Sequence, residues 1–555
     1  MATVSNPSSD SPSSQPAGDA GTRRQALSVA AACLAIFCAY VPLTAVSVAL
    51  PSIQADLGVT TSELTWVLDA FVLAMAAFIL LSGTLGERYG HKKVLLAGLS
   101  LICLGAVLGL SSGASVELLW TAQTVLGLAA ASLLASSLAV VSHAVPDPRR
   151  RAHAIAAWAS SLALGLVVGP WLSTLVIDAA DAHWVWLYFT VVPFALLGIA
   201  LASLGVAETQ RHAARALDAP GQITAVLAIA LLVFAVIEGP NSGWGSTRVV
   251  TAFVLSALAL AGFVLRESRT SSPMLDLRLF HSRQFTATTV VAMLVMFGLV
   301  GTLFLLSLFF GGVQHRTVGA VALRFLVVTG PIVVTGPLAA RIAHRSHPRV
   351  PLIMGLVLGG AGMLSLIGLS TGSGLGELWW RLAAIGAGFG LVLASMTAIA
   401  VGSVPAPLMG VAGAAINTLR QTGGALGPAV LGAVVTGRVA ATLPHEFAAR
   451  RVPPETAVQA HTLLSRGGLR ALGELPPGPQ SRAVLTAAGH AFTSGIHVAV
   501  ALSGGALLAA ALLALVVLRP TRRTASTKVA TNLPAQGGEA RTHTADRDTE
   551  RPLST

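Results

Sequence analysis

Gly83-Thr84-Leu85-Gly86-Glu87-Arg88-Tyr89-Gly90-His91-Lys92-Lys93 is the stretch that decides the fold. It is short, glycine-punctuated and charged. One long apolar run ends before it at Leu81, and another begins after it at Val94. A hydrocarbon core about 30 Å thick needs roughly 20 apolar residues of helix. Two such helices joined this tightly must leave the bilayer on the same face. Composition supports lipid as the solvent. Of 555 residues, 54% are hydrophobic and only 10% charged, where a soluble domain carries about 25% charged. Too little polar surface remains to coat a water-soluble body.

Working outward, the apolar runs number fourteen, from the first near Leu27 to the last near Ala491. The seventh, Ile223 to Ile237, is the shortest. Their flanking charge is asymmetric. With the N-terminus inside, the cytoplasmic loops hold Arg88, Lys92 and Lys93, then Arg149 to Arg151, then Arg211 and Arg215. They continue with Arg266, Arg269, Arg278 and Arg283, then Arg341, Arg345 and Arg349. The loop from Gly402 to Leu408 carries none, and Arg248 and Arg316 edge the other side. This bias orients the chain with both termini cytoplasmic. It also accounts for the net charge of +12, so no nucleic-acid partner is expected. Scarce Lys beside abundant Arg, Ala and Gly points to a GC-rich bacterial genome and a cell-membrane location.

Residues 1–25 are rich in Ser, Pro and Asp, and residues 519–555 are polar. Both read as disordered cytoplasmic tails. The segment 438–489, with Pro453, Pro454, Pro476, Pro477 and Pro479, reads as a long, partly helical external loop. Cys33, Cys38 and Cys103 all lie in apolar runs without metal spacing. Neither a disulfide framework nor a metal site is expected.

The two halves echo each other at a nearly fixed offset. Gly83 to Arg88 answers Gly336 to Arg341, and Gly109 to Gly113 answers Gly368 to Gly372. Leu134-Ala135-Ser136 answers Leu393-Ala394-Ser395, and Gly165 to Pro170 answers Gly423 to Pro428. The expected architecture is an all-α polytopic membrane protein with two parallel six-helix bundles, over 26–206 and 285–518. Two extra transmembrane helices over 207–284 link them.

The opening stretch closely resembles the signature between the second and third helices of major facilitator superfamily transporters, G-x-L-(G/A/S)-D-(R/K)-(F/Y)-G-R-(R/K)-(R/K). Here Glu87 replaces Asp and His91 replaces Arg. The resemblance implies a gating loop in which Gly83, Glu87, Arg88, Gly90 and Lys92 latch one face shut. Gly165, Gly169 and Pro170 resemble a helix element found mainly in exporters that exchange substrate for protons. Where that element usually continues with glycines, Ser173 and Thr174 stand. Thr44 to Pro51, Trp66 to Phe71, Leu275 to Phe280 and Asn417 to Gly424 resemble the fourteen-span drug:proton antiporter branch. Two positions depart from it: Pro42 stands where an Asp is common, and Gln123 where an Arg is common.

Few ionisable groups remain inside the spans. A charge at mid-bilayer costs about 2.5–3.5 kcal/mol on insertion scales, so each needs a reason. Asp69 is the one carboxylate well within a span of the first half and a candidate for proton exchange or for binding a cationic substrate. Arg324 and Arg420 are candidate counter-charges, with Asn417 and Gln421 beside Arg420. Trp66 and Phe71 flank Asp69 as a candidate aromatic lining. Packed structural roles are the competing reading for each, and also for His143, His490 and His497. No Walker loop, HExxH or dinucleotide fingerprint occurs. The two G-x-S-x-G matches close apolar helices rather than joining a strand to a helix. No cofactor and no enzyme activity are expected. The reading is proton-coupled efflux of hydrophobic or cationic small molecules by a monomer. The alternatives are an uncoupled facilitator or importer and, more remotely, a membrane enzyme or sensor.

Overall fold

The computed structural model describes residues 17–180, 182–208, 218–270, 273, 275–404 and 409–518. The expected tail 519–555, residues 1–16 of the other tail, and Arg211 and Arg215 lie outside them. Helix α1 begins at Ala17, upstream of the sequence boundary at 26, through good helix formers such as Arg23, Arg24 and Gln25.

Among the described residues there is no strand. Fourteen helices are long and apolar enough to cross a membrane. The first six spans comprise α1 (Ala17–Leu57), α2 (Thr61–Tyr89), α3 (His91–Leu110), α4 (Val116–Ala144), α5 (Pro148–Ser173) and α6 (Val192–Gly205). The extra pair is α7 (Ala219–Ser242) and α8 (Thr247–Arg269). Then come α9 (Arg283–Leu308), α10 (Val318–Arg345), α11 (Arg349–Ser365), α12 (Leu375–Gly402) and α13 (Met409–Ala449). A non-spanning α14 (Pro454–Ala471) precedes the last span, α15 (Pro479–Val517).

The internal repeat is a packing repeat. In the first half α1 packs on α5 and α6, α4 on α2 and α3, and α3 on α6. In the second half α9 packs on α13 and α15, α12 on α10 and α11, and α11 on α15. The pairing scheme is the same, position for position. Between the halves, α7 and α8 pack on each other, and α7 also touches α2 and α13. Gln222 on α7 donates to the Ala77 carbonyl of α2.

Local signals set the helix ends. α1 stops at Gly58, whose φ of +62° suits glycine. Thr60 then caps α2. Its hydroxyl accepts from the Glu63 N–H at 3.2 Å, while the Glu63 carboxylate accepts from the Thr60 N–H at 2.8 Å. The segment 438–489 is largely helical. α13 runs on to Ala449 and α15 starts at Pro479. Leu443, Phe447, Ala460, Leu472 and Val484 form a small apolar cluster of their own, which gives α14 a place to bury its apolar face.

Candidate functional site

The seam between the two halves is closed at one end and open at the other. Along α2 and α13, Thr65 lies 3.5 Å from the place a Cβ on Gly432 would take, and Val72 lies 3.1 Å from that of Gly424. Gln421 Nε2 donates to the Met75 sulfur at 2.8 Å. In each pair the two residue numbers add to the same total within one, as antiparallel helices require. The same register pairs Gly83 with Gly413. On α2, Gly83 falls on the stripe of Thr65 and Val72; on α13, Gly413 falls on that of Gly424. Yet a Cβ on either glycine would meet nothing within 4 Å among the described residues. The helices therefore touch from Thr65 to Met75 and splay toward the basic face, the one bearing Arg88 and Lys92.

The far end is sealed elsewhere too. Pro170 lies inside the last turn of α5, which passes after Ser173 into a π-helical segment, Thr174–Ala179. From it Asp178 Oδ2 accepts the Gly319 N–H at 2.5 Å, in the first turn of α10. A carboxylate of one half thus meets the positive end of a helix in the other. Gly311, just past α9, lies against the Pro51 ring of α1.

Asp69 sits in the closed part of the seam. It follows Thr65 and precedes Val72 by about one helical turn each, so it shares their stripe toward α13. It has no exposed surface. Neither carboxyl oxygen has a hydrogen-bond partner among the described residues. On the α4 side of α2, away from Asp69, fully buried Gln123 of α4 donates to the Val67 carbonyl at 2.9 Å and accepts from the Tyr188 hydroxyl at 3.5 Å. The neutral residue at the place where an arginine is common is thus tied into the bundle.

The other sequence candidates divide. Arg420 is half-buried and reaches across the seam, Nη2 donating to the Tyr40 hydroxyl of α1 at 3.5 Å. Gln421 is buried on Met75, while Asn417 donates within its own helix to the Gly413 carbonyl at 3.0 Å. Arg324 donates to Ala320 at 2.7 Å, and its guanidinium stacks 5.0 Å from the Phe310 ring centre. Neither arginine is bonded to Asp69. Trp66 packs on Phe234 of α7, ring centres 6.4 Å apart, and Phe71 has no exposed surface. His497 bonds the Leu369 carbonyl at 2.7 Å, and His143 stacks near His91 at 5.8 Å. His490 is exposed. Sequence reasoning missed Tyr40 and Asp178. Tyr40 is one of only three tyrosines in the chain, and a tyrosine in mid-span needs a use for its hydroxyl.

In the Gly83–Lys93 stretch, Gly90 has φ of +100°, and a Cβ there would strike the Glu208 carboxylate. Lys92 donates to the Ser203 carbonyl at 2.9 Å, and Arg88 lies 5.5 Å from the Tyr89 ring centre. The described contacts of Gly90 and Lys92 thus stay within the first half. On α5, Gly165 and Gly169 press on α1. A Cβ at Gly169 would land on Thr44 Oγ1 and the Ala45 N–H. Ser173 completes the contact by donating to the Ala45 carbonyl at 2.8 Å.

Residues 32–428 match the family model described as Major Facilitator Superfamily. The chain belongs to the major facilitator superfamily. Within the superfamily it is 33% identical to the multidrug resistance protein Stp of Mycobacterium tuberculosis (strain CDC 1551 / Oshkosh). That match covers 89% of this chain and 91% of Stp. It is 30% identical to the tetracenomycin C resistance and export protein of Streptomyces glaucescens, over 85% and 88% of the two chains. The fold is similar to the crystal structure of a bacterial homolog of the human lysosomal transporter Spinster, in an inward-facing and unoccupied conformation. There the TM-score is 0.62 at 15% identity, over 90% of this chain and 99% of that one. As a member of the superfamily, the chain is a multi-pass membrane protein built on a transporter scaffold.

Proposed function

We propose that this chain exports hydrophobic or cationic small molecules in exchange for protons, by alternating access, as a monomer in a bacterial cell membrane. The observation that carries the reading is Asp69. A buried ionised carboxylate without a partner costs several kcal/mol, so the closed seam is compatible with a proton on it. When α2 and α13 part at that level, water reaches the carboxyl and the proton can leave or be exchanged for a cation. Protonation and the state of the seam are then one equilibrium, which is what coupling requires.

Two further observations support it. A small recess lined by Thr61, Ser62, Thr65 and Thr436 holds about 10 Å³ of water-sized space, enough for roughly one water. Thr65, in its lining, is one helical turn from Asp69. The basic face, cytoplasmic by the positive-inside rule, is where the seam stands open to receive a substrate. Export is the direction carried in the name of the tetracenomycin C resistance and export protein.

Uncoupled transport is the second reading, favoured by neutral Gln123 and Pro42. Inverted membrane vesicles supplied with external ethidium separate the two. With coupling, an acid-inside gradient drives accumulation, collapsing the gradient abolishes it, and Asp69→Asn does not accumulate at all. Accumulation indifferent to the gradient overturns antiport. Wild-type behaviour of Asp69→Asn removes the role given to that residue.

A further inference from the structure

A cavity of about 590 Å³ lies at the sealed end of the seam, within the size range of small-molecule sites. Its walls come from both halves: Gln54 of α1 and Thr61 of α2 on one side, Leu308, Val439 and Phe492 on the other. α14 roofs it with His461, Leu464 and Leu469, and although α14 is inserted in the second half it also touches α1. Among the described residues, no Asp, Glu, Lys or Arg lines the chamber. The central seam, by contrast, holds Asp69 and Arg420.

We propose that this chamber is a second binding site, for an uncharged, largely apolar small molecule with one or two hydrogen-bonding groups. The chemistry follows from the lining. Leucine, valine and phenylalanine side chains supply the contact area, and the threonines, Gln54 and His461 at its edges offer a few polar partners. A charged ligand would leave water for walls whose described side chains offer no charge to receive it. Because the walls belong to both halves and α14 bridges them, an occupant contacts both at once. It therefore favours the state in which this end is shut. The proposal does not depend on the export reading, since its readout is occupancy.

The test uses the full chain in lipid nanodiscs with an uncharged aryl-diazirine amide as photoprobe, cross-linked sites being mapped by mass spectrometry. Saturable labelling is expected on residues 435–443 and 461–469. An excess of the non-photoreactive amide should suppress it by about tenfold. Val439→Trp, which fills the chamber, should abolish it, and Leu464→Ala, which opens the roof without touching α13, should weaken it. Wild-type labelling in both variants overturns the proposal. So does labelling that does not saturate, or that yields to added phospholipid but not to the free amide.

Discussion

Gly83 and Gly413 stand at the same level of two antiparallel helices, on the faces those helices turn to each other, with nothing among the described residues within 4 Å of the β-carbon each lacks. The gap between them is room for movement. Filling it should prop the basic end open. Gly413→Leu is expected to cut transport by about tenfold or more by raising the free energy of the closed state. Binding from the basic face should be preserved. Transport and equilibrium binding measured on the same preparation check this; unimpaired transport would mean that the basic end closes along another line.

The opposite end depends on Asp178. Asp178→Ala removes a charge-assisted bond to the Gly319 N–H, and with it about 1.5–3 kcal/mol at most. Because Asp178 is exposed, the lower part of that range or less applies. The expected result is a shift of several-fold toward states parted at this end. Electron-spin distances between labels on α5 and α10 report it directly, and an unchanged distance distribution would count against the seal.

The α1–α5 contact separates two kinds of loss. Gly169→Leu must push into Thr44 and the α1 backbone, where overpacking costs roughly 1–3 kcal/mol or more. Poor expression or aggregation is expected. Ser173→Ala forfeits one buried hydrogen bond, about 0.6–1 kcal/mol in a membrane helix pair, and should lower the melting temperature slightly while transport continues. A thermal melt of each variant in detergent decides whether the two differ as stated.

Acid sensitivity at the basic face is expected from Asp276, which lies between α8 and α9. Its carboxylate accepts from the Arg278 side chain and backbone N–H, both at 3.0 Å. The Arg278 side-chain bond is the main reason its carboxyl is held below the usual range. With the folded value depressed, the stabilisation is full above the unfolded value near 3.8. It is lost as pH falls below that toward the folded value. Asp276→Asn should therefore melt slightly below wild type at pH 7 and converge with it in strong acid. A gap that widened in acid would contradict the assignment. Arg278 is largely exposed, so the effect is small.

The count of spans and the doubled architecture were legible because both are one-dimensional signals. Twenty apolar residues mark a span wherever they pack, and Gly165–Pro170 and Gly423–Pro428 repeat in order. Asp69 was legible for a similar reason: a carboxylate inside an apolar run is conspicuous without coordinates. The register of α2 on α13 was not, because it depends on how two distant segments meet. For that reason Trp66, beside Asp69 in sequence, turns out to pack on α7, and Tyr40, far away in sequence, meets Arg420. Asp178 was hidden by its position. It ends a span next to a loop, where an acid attracts no notice, and the π segment after Ser173 that aims it at α10 is conformational.

The last rung where α2 and α13 touch joins an amide to the sulfur of Met75. A thioether is a soft, polarisable acceptor on an unbranched, adaptable side chain. From there to the level of Gly83 is about 12 Å of helix, at 1.5 Å per residue. A tilt of some twenty degrees about that rung would swing the glycines by roughly 4 Å while the Gln421–Met75 contact only rotates. A pivot with little directional preference resists such turning weakly. The resistance to motion in this seam is thus concentrated at its sealed end, and the rung at Met75 turns almost freely.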